Sequence, residues 1–376
     1  MIIGIDGNEA NIENRAGVNH YAYEILWGLY KLQDTNNGRH KFIVYLKDLP
    51  RKDLPKEKDN WSYMVLPGRK LWIITKLMPH LLTNKEKIDV LYSPSHYTVP
   101  FSLLPRVCSI MDLGYLKFSE QFNKTTFWQL KYWSAISIYV SKYVIAISNA
   151  TKKDIVRHYP SARKKVKVTH LAYDKKRFNT NVGDNDVRRI KSKYHIVDDY
   201  VLFLSTLKPS KNLEGLMIAF SGLRDKFPTL KLIIAGKKGW MYEEIFNKVK
   251  ELGIEDNVIF TGYFDEEDKP ALYKGAKVIA APSFWEGFGL HVLESMACGT
   301  PAVVGDVGSI PEVVGDAGVL VDPESTDSIQ DGLEGVLSMD EKGYNKLVDR
   351  GIKKAISYSW DKTAKKTLNI LESVKK

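Results

Sequence analysis

Short apolar runs that end at polar residues or glycine recur along the first half of the chain. The first run covers residues 2–5 and ends at Asp6 and Gly7, which indicates a buried strand followed by a polar loop. Residues 18–32 instead carry apolar side chains at helical spacing. Further strand-like runs cover residues 42–46, 64–66, 89–92, 107–110 and 144–147. Strands that alternate with helices predict a parallel, doubly wound α/β sheet.

A second series of the same kind follows a polar stretch at residues 179–186, whose asparagine, aspartate and glycine residues predict a linker. The predicted strands of this series cover residues 200–204, 231–235, 258–260, 278–281 and 302–304. We therefore predict two Rossmann-like domains, residues 1–180 and 199–358, with a linker at 181–198 and a last helix at 359–376. Two such domains leave a cleft, where the carboxyl ends of both sheets can face a ligand.

Composition narrows the class of protein. Of 376 residues, 44% are hydrophobic and 27% charged, as in ordinary globular proteins. The two cysteines, Cys108 and Cys298, cannot form a disulfide framework, which fits a reducing compartment. The N-terminus lacks the basic start and apolar run of a signal peptide, and no stretch approaches the ~18 apolar residues of a membrane span. We expect a soluble, cytoplasmic protein.

The formal charge of +10 is unevenly distributed along the chain. Residues 1–200 carry 33 Lys and Arg against 19 Asp and Glu, whereas residues 201–376 carry 22 against 26. A basic first half predicts an anionic partner, such as nucleic acid, a phosphorylated lipid or a membrane surface.

The most informative stretch, residues 281–301, places two carboxylates around the start of a predicted helix. Glu286 lies in a loop containing Gly287 and Gly289, and Glu294 follows eight residues later in the helix. The first amides of the helix form an anion site, and ionised carboxylates accept hydrogen bonds from sugar hydroxyls. A nucleotide sugar carries both phosphates and hydroxyls. The alternative is a capped surface helix with one solvated glutamate, and the spacing alone does not decide between the two.

The run E-G-F-G-L-H-V-L-E-S-M-A-C-G-T-P-A-V, residues 286–303, resembles the E-x7-E signature of retaining glycosyltransferases of family 4. The resemblance extends through residues 260–263, 272–276, 308–312 and 317–323. It implies the GT-B fold, with a C-terminal helix that packs back on the N-terminal domain. It also implies transfer of a sugar from a UDP- or GDP-sugar to a hydroxyl acceptor, with retention, in polysaccharide or glycolipid synthesis. No metal or other cofactor is expected.

The resemblance assigns donor-side roles in the second domain. Glu286 would bind the donor sugar, Glu294 the ribose, and Lys211 the diphosphate leaving group. The family often has arginine at the positions of Ser210 and Thr206. Lys208 could therefore assist Lys211, or could simply be a solvated loop lysine. The remaining donor contacts that the resemblance implies are the backbone of Phe288, Gly289 and Leu290, together with Gly262 and Tyr263.

Candidate residues in the first domain are less well marked. Gly17 lies where the family has a glycine-rich loop that approaches the donor phosphate, and Asn19 or His20 could face the acceptor or cap a helix. Met111 replaces a histidine that many members use, while Asp112 beside it is either a cap or an acceptor contact. His96 is a further acceptor candidate. His291, where the family commonly has proline, is expected on the helix surface.

The acceptor-binding domain is the basic one, so the acceptor is expected to be anionic or membrane-borne. Residues 69–74, around Trp72, form a basic and aromatic segment that could touch lipid headgroups or belong to the core. The ten Lys and Arg residues of 152–177 could extend a peripheral membrane contact or form a solvated face. The rival functions are a nucleotide-sugar epimerase or hydrolase of the same fold, and a basic nucleic-acid-binding protein, for which no motif is present.

Overall fold

The computed structural model describes residues 1–35, 39–236, 242–262 and 264–375. The described residues form two compact units. Unit 1 comprises Met1–Leu171 together with Ser359–Lys376, and unit 2 comprises Ala172–Tyr358. Each unit is built on its own parallel sheet.

Unit 1 has a seven-stranded sheet in the order β3-β2-β1-β4-β5-β6-β7. Ile3 and Ile5 are fully buried on one face of β1, and Gly4 is buried on the other, as expected for a strand in the middle of a covered sheet. Its carboxyl end is Asp6, where a polar loop begins. The strands are β1 Ile2–Asp6, β2 Lys41–Leu46, β3 Trp61–Val65, β4 Val90–Ser93, β5 Arg106–Ile110, β6 Tyr143–Ala146 and β7 Val166–Val168.

Helices cover the sheet of unit 1, and the last helix of the chain is one of them. This C-terminal helix packs on the first helix, where a Cβ added to Gly28 would lie 2.6 Å from the Cβ of Ala364. The expectation that it packs back on the first domain is confirmed. The helices, numbered along the whole chain, are α1 Val18–Thr35, α2 Met78–Thr83, α3 Gly114–Lys117, α4 Lys124–Val140, α5 Asn149–His158 and α14 Trp360–Glu372. A π-helical turn spans Ile73–Leu77, and 3-10 turns span Ser119–Gln121, Pro160–Ala162 and Ser373–Lys375.

Unit 2 has a six-stranded parallel sheet in the order β10-β9-β8-β11-β12-β13. Because β8 and β11 are neighbours, the loops that follow them open side by side. The strands are β8 Tyr200–Leu204, β9 Lys231–Ala235, β10 Val258–Gly262, β11 Val278–Ala281, β12 Ala302–Gly305 and β13 Val319–Val321. The helices are α6 Asp184–Lys193, α7 Leu213–Ser221, α8 Tyr242–Glu251, α9 Lys269–Gly275, α10 Leu290–Ala297, α11 Ile310–Val314, α12 Thr326–Leu337 and α13 Glu341–Ile356. The 3-10 turns are Pro209–Lys211, Glu255–Asn257 and Glu266–Asp268.

The linker predicted at 181–198 is wrong, because most of it forms α6 and belongs to unit 2. Ile190 of this helix is fully buried, and Lys193 Nζ lies 2.5 Å from the buried Asp268 carboxylate. Acidic residues occupy the first turn and lysines the last, which suits the helix dipole. The polar composition that suggested a linker therefore marks the start of a helix. The boundary between the units falls at Leu171, not at 180.

Trp72 belongs to the core of unit 1. It is buried in an apolar cluster with Tyr45 and Leu77, and its indole Nε1 donates a 2.6 Å hydrogen bond to the carbonyl oxygen of Leu66. The core alternative for this residue is confirmed, and the lipid-contact alternative is wrong. Within the part of the chain that the structure describes, no helix is long and apolar enough to cross a membrane.

Candidate functional site

Two glycines fix the loop between β11 and α10 in unit 2. Gly289, immediately before α10, has φ +86°, and a Cβ there would lie 2.5 Å from Ile310 Cδ1. Gly308 has φ +57°, and a Cβ there would lie 2.5 Å from the backbone oxygen of Glu286. Glycine adopts these conformations without strain, and only glycine, which has no Cβ, permits such close packing. The loop that carries Glu286 is thereby held against the segment after β12.

Glu286 is almost fully buried, with 8% of its surface exposed, and it is paired. Its Oε1 lies 2.6 Å from Lys211 Nζ and accepts a 2.9 Å hydrogen bond from Ser283 Oγ. Burial by itself would raise the pKa of this carboxyl, but the charge of Lys211, nearby His291 and the hydrogen bonds lower the pKa below its ordinary value. The structure therefore holds an ionised carboxylate beside a cation.

Lys211 reaches this carboxylate from the loop after β8, 75 residues earlier in the chain. Asn212 fixes the loop: it has φ +54°, its side chain caps α7 by accepting from Gly215 N, and its Nδ2 donates a 2.6 Å bond to Pro323 O. The side chain of Lys211 is 20% exposed. Lys208 is exposed and lines a separate cavity of about 540 Å³ between α7 and α8.

Glu294 lies in the second turn of α10, also 8% exposed. Its Oε2 lies 2.8 Å from Lys269 Nζ and accepts a 3.0 Å hydrogen bond from Tyr273 Oη. Burial and the Glu294 charge raise the pKa of Tyr273 well above its ordinary value, so this hydroxyl remains a donor. No pattern in the sequence indicated Lys269. Tyr273 lies in the segment 272–276, which resembles the family. Its separation of 21 residues from Glu294 did not indicate that the two side chains form a hydrogen bond.

His291 lies between the two carboxylate pairs, not on the helix surface as expected. Its side chain is 15% exposed, and its Nε2 is 3.9 Å from Glu286 Oε1. Burial lowers its pKa, and the charges of four neighbours act on it: Glu286, Lys211, Glu294 and Lys269. His291 thus lies within the electrostatic influence of both ion pairs at the start of α10.

The other donor-side candidates that the structure describes lie around the start of α10 or at the end of β10. Phe288 is buried with its ring edge-on to Tyr358 at 5.7 Å, so its side chain has a packing role. The backbone of Gly289 and Leu290 forms the N-terminus of α10, which carries a partial positive charge. Gly262 ends β10 with φ +67°. Tyr263 lies outside the described residues.

The candidates in unit 1 are engaged in local contacts. Gly17 has φ +54° and leads into α1. Asn19 Nδ2 donates to Glu9, and the ring of His20 lies edge-on to Trp360 at 6.0 Å. Asp112 accepts a 2.8 Å hydrogen bond from the backbone N of Gly114, the first residue of α3. For His96, the Nδ1 lies 3.4 Å from Ser134 Oγ, and burial lowers its pKa against the opposing charge of Asp112.

A cavity of about 310 Å³ at the carboxyl end of β1 was not predicted. Asp6 and Glu9 line it together with Arg69, Tyr97 and Trp133. Burial raises the pKa of Asp6 to about 6, against hydrogen bonds from Asn8, and burial also raises the pKa of Glu9. Carboxylates between aromatic rings suit a ligand rich in hydroxyl groups.

Among the described residues, no group of three or more His, Cys, Asp and Glu side chains is arranged to hold a metal ion. The charged groups of the candidate site in unit 2 are instead two carboxylates and two lysines in pairs.

Comparison with known proteins places the chain among sugar-transferring enzymes. Residues 186–354 match the model of the family described as glycosyl transferases group 1. The chain is 29% identical over 317 residues to O-antigen chain mannosyltransferase B of Escherichia coli, a match covering 82% of this chain and 78% of that protein. It is 32% identical over 241 residues to an uncharacterized glycosyltransferase of Methanocaldococcus jannaschii, covering 62% of this chain and 61% of that protein.

The solved structures extend the comparison to the whole fold. The chain is similar to HepE of Anabaena in complex with UDP-glucose, with a TM-score of 0.72 at 18% identity, over 99% of each chain. At that identity the likeness shows the fold. The predicted GT-B fold is thus confirmed.

Proposed function

We propose a specific reaction for this chain, which is similar to group 1 glycosyltransferases. It transfers a sugar from a nucleoside diphosphate sugar to a hydroxyl acceptor, with retention at the anomeric carbon. The observation that carries the proposal is the Lys211–Glu286 pair at the N-terminus of α10, with Glu294 eight residues further on. Cation, helix end and two carboxylates together match a ligand that carries phosphates and hydroxyls.

The roles of the groups follow from their chemistry. Lys211 and the N-terminus of α10 stabilise the negative charge that develops on the leaving diphosphate. Glu286, held ionised, accepts hydrogen bonds from hydroxyls of the donor sugar. Glu294, fixed by Lys269 and Tyr273, accepts from the ribose hydroxyls. The leaving phosphate takes the proton of the acceptor on the same face of the sugar.

The positive field of Lys211 and the helix end is the basis for proposing that transfer needs no metal ion. Activity should therefore persist when divalent cations are removed with EDTA. Loss of transfer in EDTA, with recovery on adding Mg²⁺ or Mn²⁺, would contradict this part of the proposal.

The donor and the acceptor are proposed from the relatives. Because one relative is named a mannosyltransferase of an O-antigen chain, a nucleoside diphosphate mannose is the first donor to test, followed by UDP-glucose. The proposed acceptor is a sugar of a growing polysaccharide or glycolipid, bound by unit 1. The enzyme would then act in the cytoplasm, peripherally at the inner face of the membrane.

A thermal-shift screen of UDP, GDP and their sugars tests the proposal, because a ligand that binds only the folded protein raises the unfolding midpoint. We expect one nucleoside diphosphate and its sugar to raise the midpoint. Transfer to an acceptor is then followed by chromatography, and the anomeric configuration of the product by NMR. A product of inverted configuration would exclude retention. Rapid turnover of the donor without any acceptor would favour the rival epimerase or hydrolase.

A further inference from the structure

Helix α4 of unit 1 carries large apolar side chains on the face that points away from the core. Trp128, Tyr132, Ile136 and Tyr139 follow one another at steps of four, four and three residues, which places them on one face of the helix. Their exposed fractions are 45%, 59%, 39% and 77%. The opposite face packs into the core through Ser134, Ser137 and Ile138. We call the exposed set the α4 aromatic stripe.

This arrangement is unusual for a helix on the surface of a soluble domain. Such a helix normally carries polar residues on its outer face, and a helix that is apolar on both faces is usually covered. A contiguous exposed apolar patch marks an interaction surface more often than it marks ordinary solvent exposure. The rings of Trp128 and Tyr132 stack at 5.4 Å, so this part of the stripe is a continuous apolar surface.

Lysines surround the stripe. Lys131 Nζ lies 4.8 Å from the Trp128 ring centroid, and Lys165 Nζ lies 6.0 Å from that of Tyr139. Lys124 and Lys142 are exposed at the two ends of the helix, and α4 contains no Asp or Glu. Tryptophan, tyrosine and lysine together are the residues that favour the headgroup region of a bilayer.

We propose that the α4 aromatic stripe is the surface through which this protein docks on a membrane containing anionic lipids. The aromatic rings enter the headgroup region, and Lys124, Lys131 and Lys142 neutralise lipid charge, while Lys165 Nζ is held by the carbonyl oxygens of Tyr139 and Ser141. Charge complementarity favours lipid over a second copy of the chain, because pairing two stripes would bring lysines against lysines. The inference gives the membrane location proposed above a particular surface, and it rests on that part of the proposed function.

Vesicle binding tests the proposal without reference to sugar transfer. The full-length protein is sedimented with vesicles of phosphatidylglycerol and phosphatidylcholine, and with vesicles of phosphatidylcholine alone. We expect binding to the anionic vesicles that weakens as salt rises, because exposed charges are screened. Trp128→Ser/Tyr132→Ser/Tyr139→Ser should weaken binding at least about tenfold, since its three rings supply the apolar contact. Lys124→Gln/Lys131→Gln/Lys142→Gln should weaken it by about a hundredfold, since each lysine near an anionic surface contributes about fivefold.

The matched control is Leu49→Ser/Val197→Ser, which removes two exposed apolar side chains outside the stripe and should leave vesicle binding unchanged. Nucleotide binding by unit 2 reports that each variant is folded there, and circular dichroism reports on the whole chain. If the triple aromatic variant does not fold, Tyr139→Ser alone, at the most exposed position, should still reduce binding measurably. Wild-type vesicle binding by folded stripe variants would overturn the proposal. A wild-type protein that ignores anionic vesicles at low salt, yet forms dimers that the stripe variant does not, would also overturn it.

Discussion

At the level of single residues, the Lys211–Glu286 ion pair affects both the charge balance of the candidate site and the proposed contact with the leaving diphosphate. The pair is largely buried, so removing the lysine leaves an uncompensated charge in the site. Removing it also takes away the cation proposed to face the leaving diphosphate.

We predict that Lys211→Ala lowers the turnover rate by a factor of about 10²–10³, the scale for one group that stabilises a developing oxyanion. The neighbouring residue Ser210 is uncharged, so no other cationic help is expected from that position. Lys208→Ala is the control, and should change the rate little because Lys208 lines a different cavity. Steady-state kinetics with saturating donor measures both. A Lys211→Ala rate within threefold of wild type would show that the phosphate is held elsewhere.

Glu294 and Glu286 should separate nucleotide binding from turnover. Glu294→Ala should weaken the free nucleoside diphosphate, through loss of a charge-assisted contact of roughly 1.5–3 kcal/mol. Glu286→Ala should leave nucleotide affinity nearly unchanged and reduce turnover. Isothermal titration calorimetry gives the affinities. If both variants bind the nucleotide as wild type does, the assignment of Glu294 to ribose is wrong.

Asp6 makes the stability of unit 1 depend on pH. Burial raises the pKa of Asp6 to about 6, above the ordinary value of 3.8, so the folded state binds the proton more tightly than the unfolded state does. Stability from this group is therefore fully present below about pH 4 and is lost as pH rises through about 6. We predict that Asp6→Asn, which still accepts from Asn8, raises the free energy of unfolding by roughly 1–3 kcal/mol at pH 7.5. The gain should vanish at pH 4, as measured by urea unfolding at both pH values. An equal increase in the free energy of unfolding at pH 4 and pH 7.5 would contradict the raised pKa of Asp6.

At the level of elements, the loop before α10 depends on Gly308. A side chain there would have φ +57° and a Cβ 2.5 Å from the oxygen of Glu286. We predict that Gly308→Ala costs about 1–3 kcal/mol of stability through strain and reduces turnover by displacing Glu286. Gly335→Ala in α12 is the matched control, because no atom lies within 4 Å of its added Cβ. That variant should be neutral or slightly stabilising. The thermal midpoint and the transfer rate are measured for both variants. If Gly308→Ala changes them no more than Gly335→Ala does, the loop that carries Glu286 accommodates a side chain at position 308.

The elements also show how far the sequence could predict this structure. Most strands could be predicted because apolar runs are local, but the three-residue strands β7 and β13 were not. Glu286 and Glu294 could be singled out because the loop–helix signal around them is also local. Lys269 could not, since its contact with Glu294 depends on how α9 packs beside α10. Helix α6 was missed because its polar residues suit a linker as well as a helix with one buried residue, Ile190, and ion pairs to Asp268. The α4 aromatic stripe was missed because a helix with apolar residues on both faces is typical of a buried helix, so the sequence did not indicate that one of these faces is exposed.

At the level of the whole molecule, the chain leaves unit 1 at Leu171 and returns to it at Ser359. The returning segment is tied to unit 1 along its length. Thr363 Oγ1 donates a 2.6 Å hydrogen bond to His170 O, and His40 Nε2 lies 2.8 Å from Glu372 Oε1. Leu368 and Leu371 of α14 are buried. Without α14, the face of α1 around Gly28 would be open to water.

Unit 1 should therefore need both ends of the chain, whereas unit 2 is one continuous segment. We predict that a fragment of residues 1–171 shows no cooperative thermal transition, because the apolar surface that α14 buries contributes about 25 cal/mol per Å² to folding. Joining residue 171 to residue 359 through a short Gly-Ser linker should restore the transition, since the bond between Thr363 and His170 brings the two ends close together. The fragment of residues 172–358 should unfold cooperatively and bind the nucleoside diphosphate. Circular dichroism melts of the three proteins test this, and a cooperative transition of residues 1–171 alone, at the midpoint of the joined form, would show that α14 is dispensable.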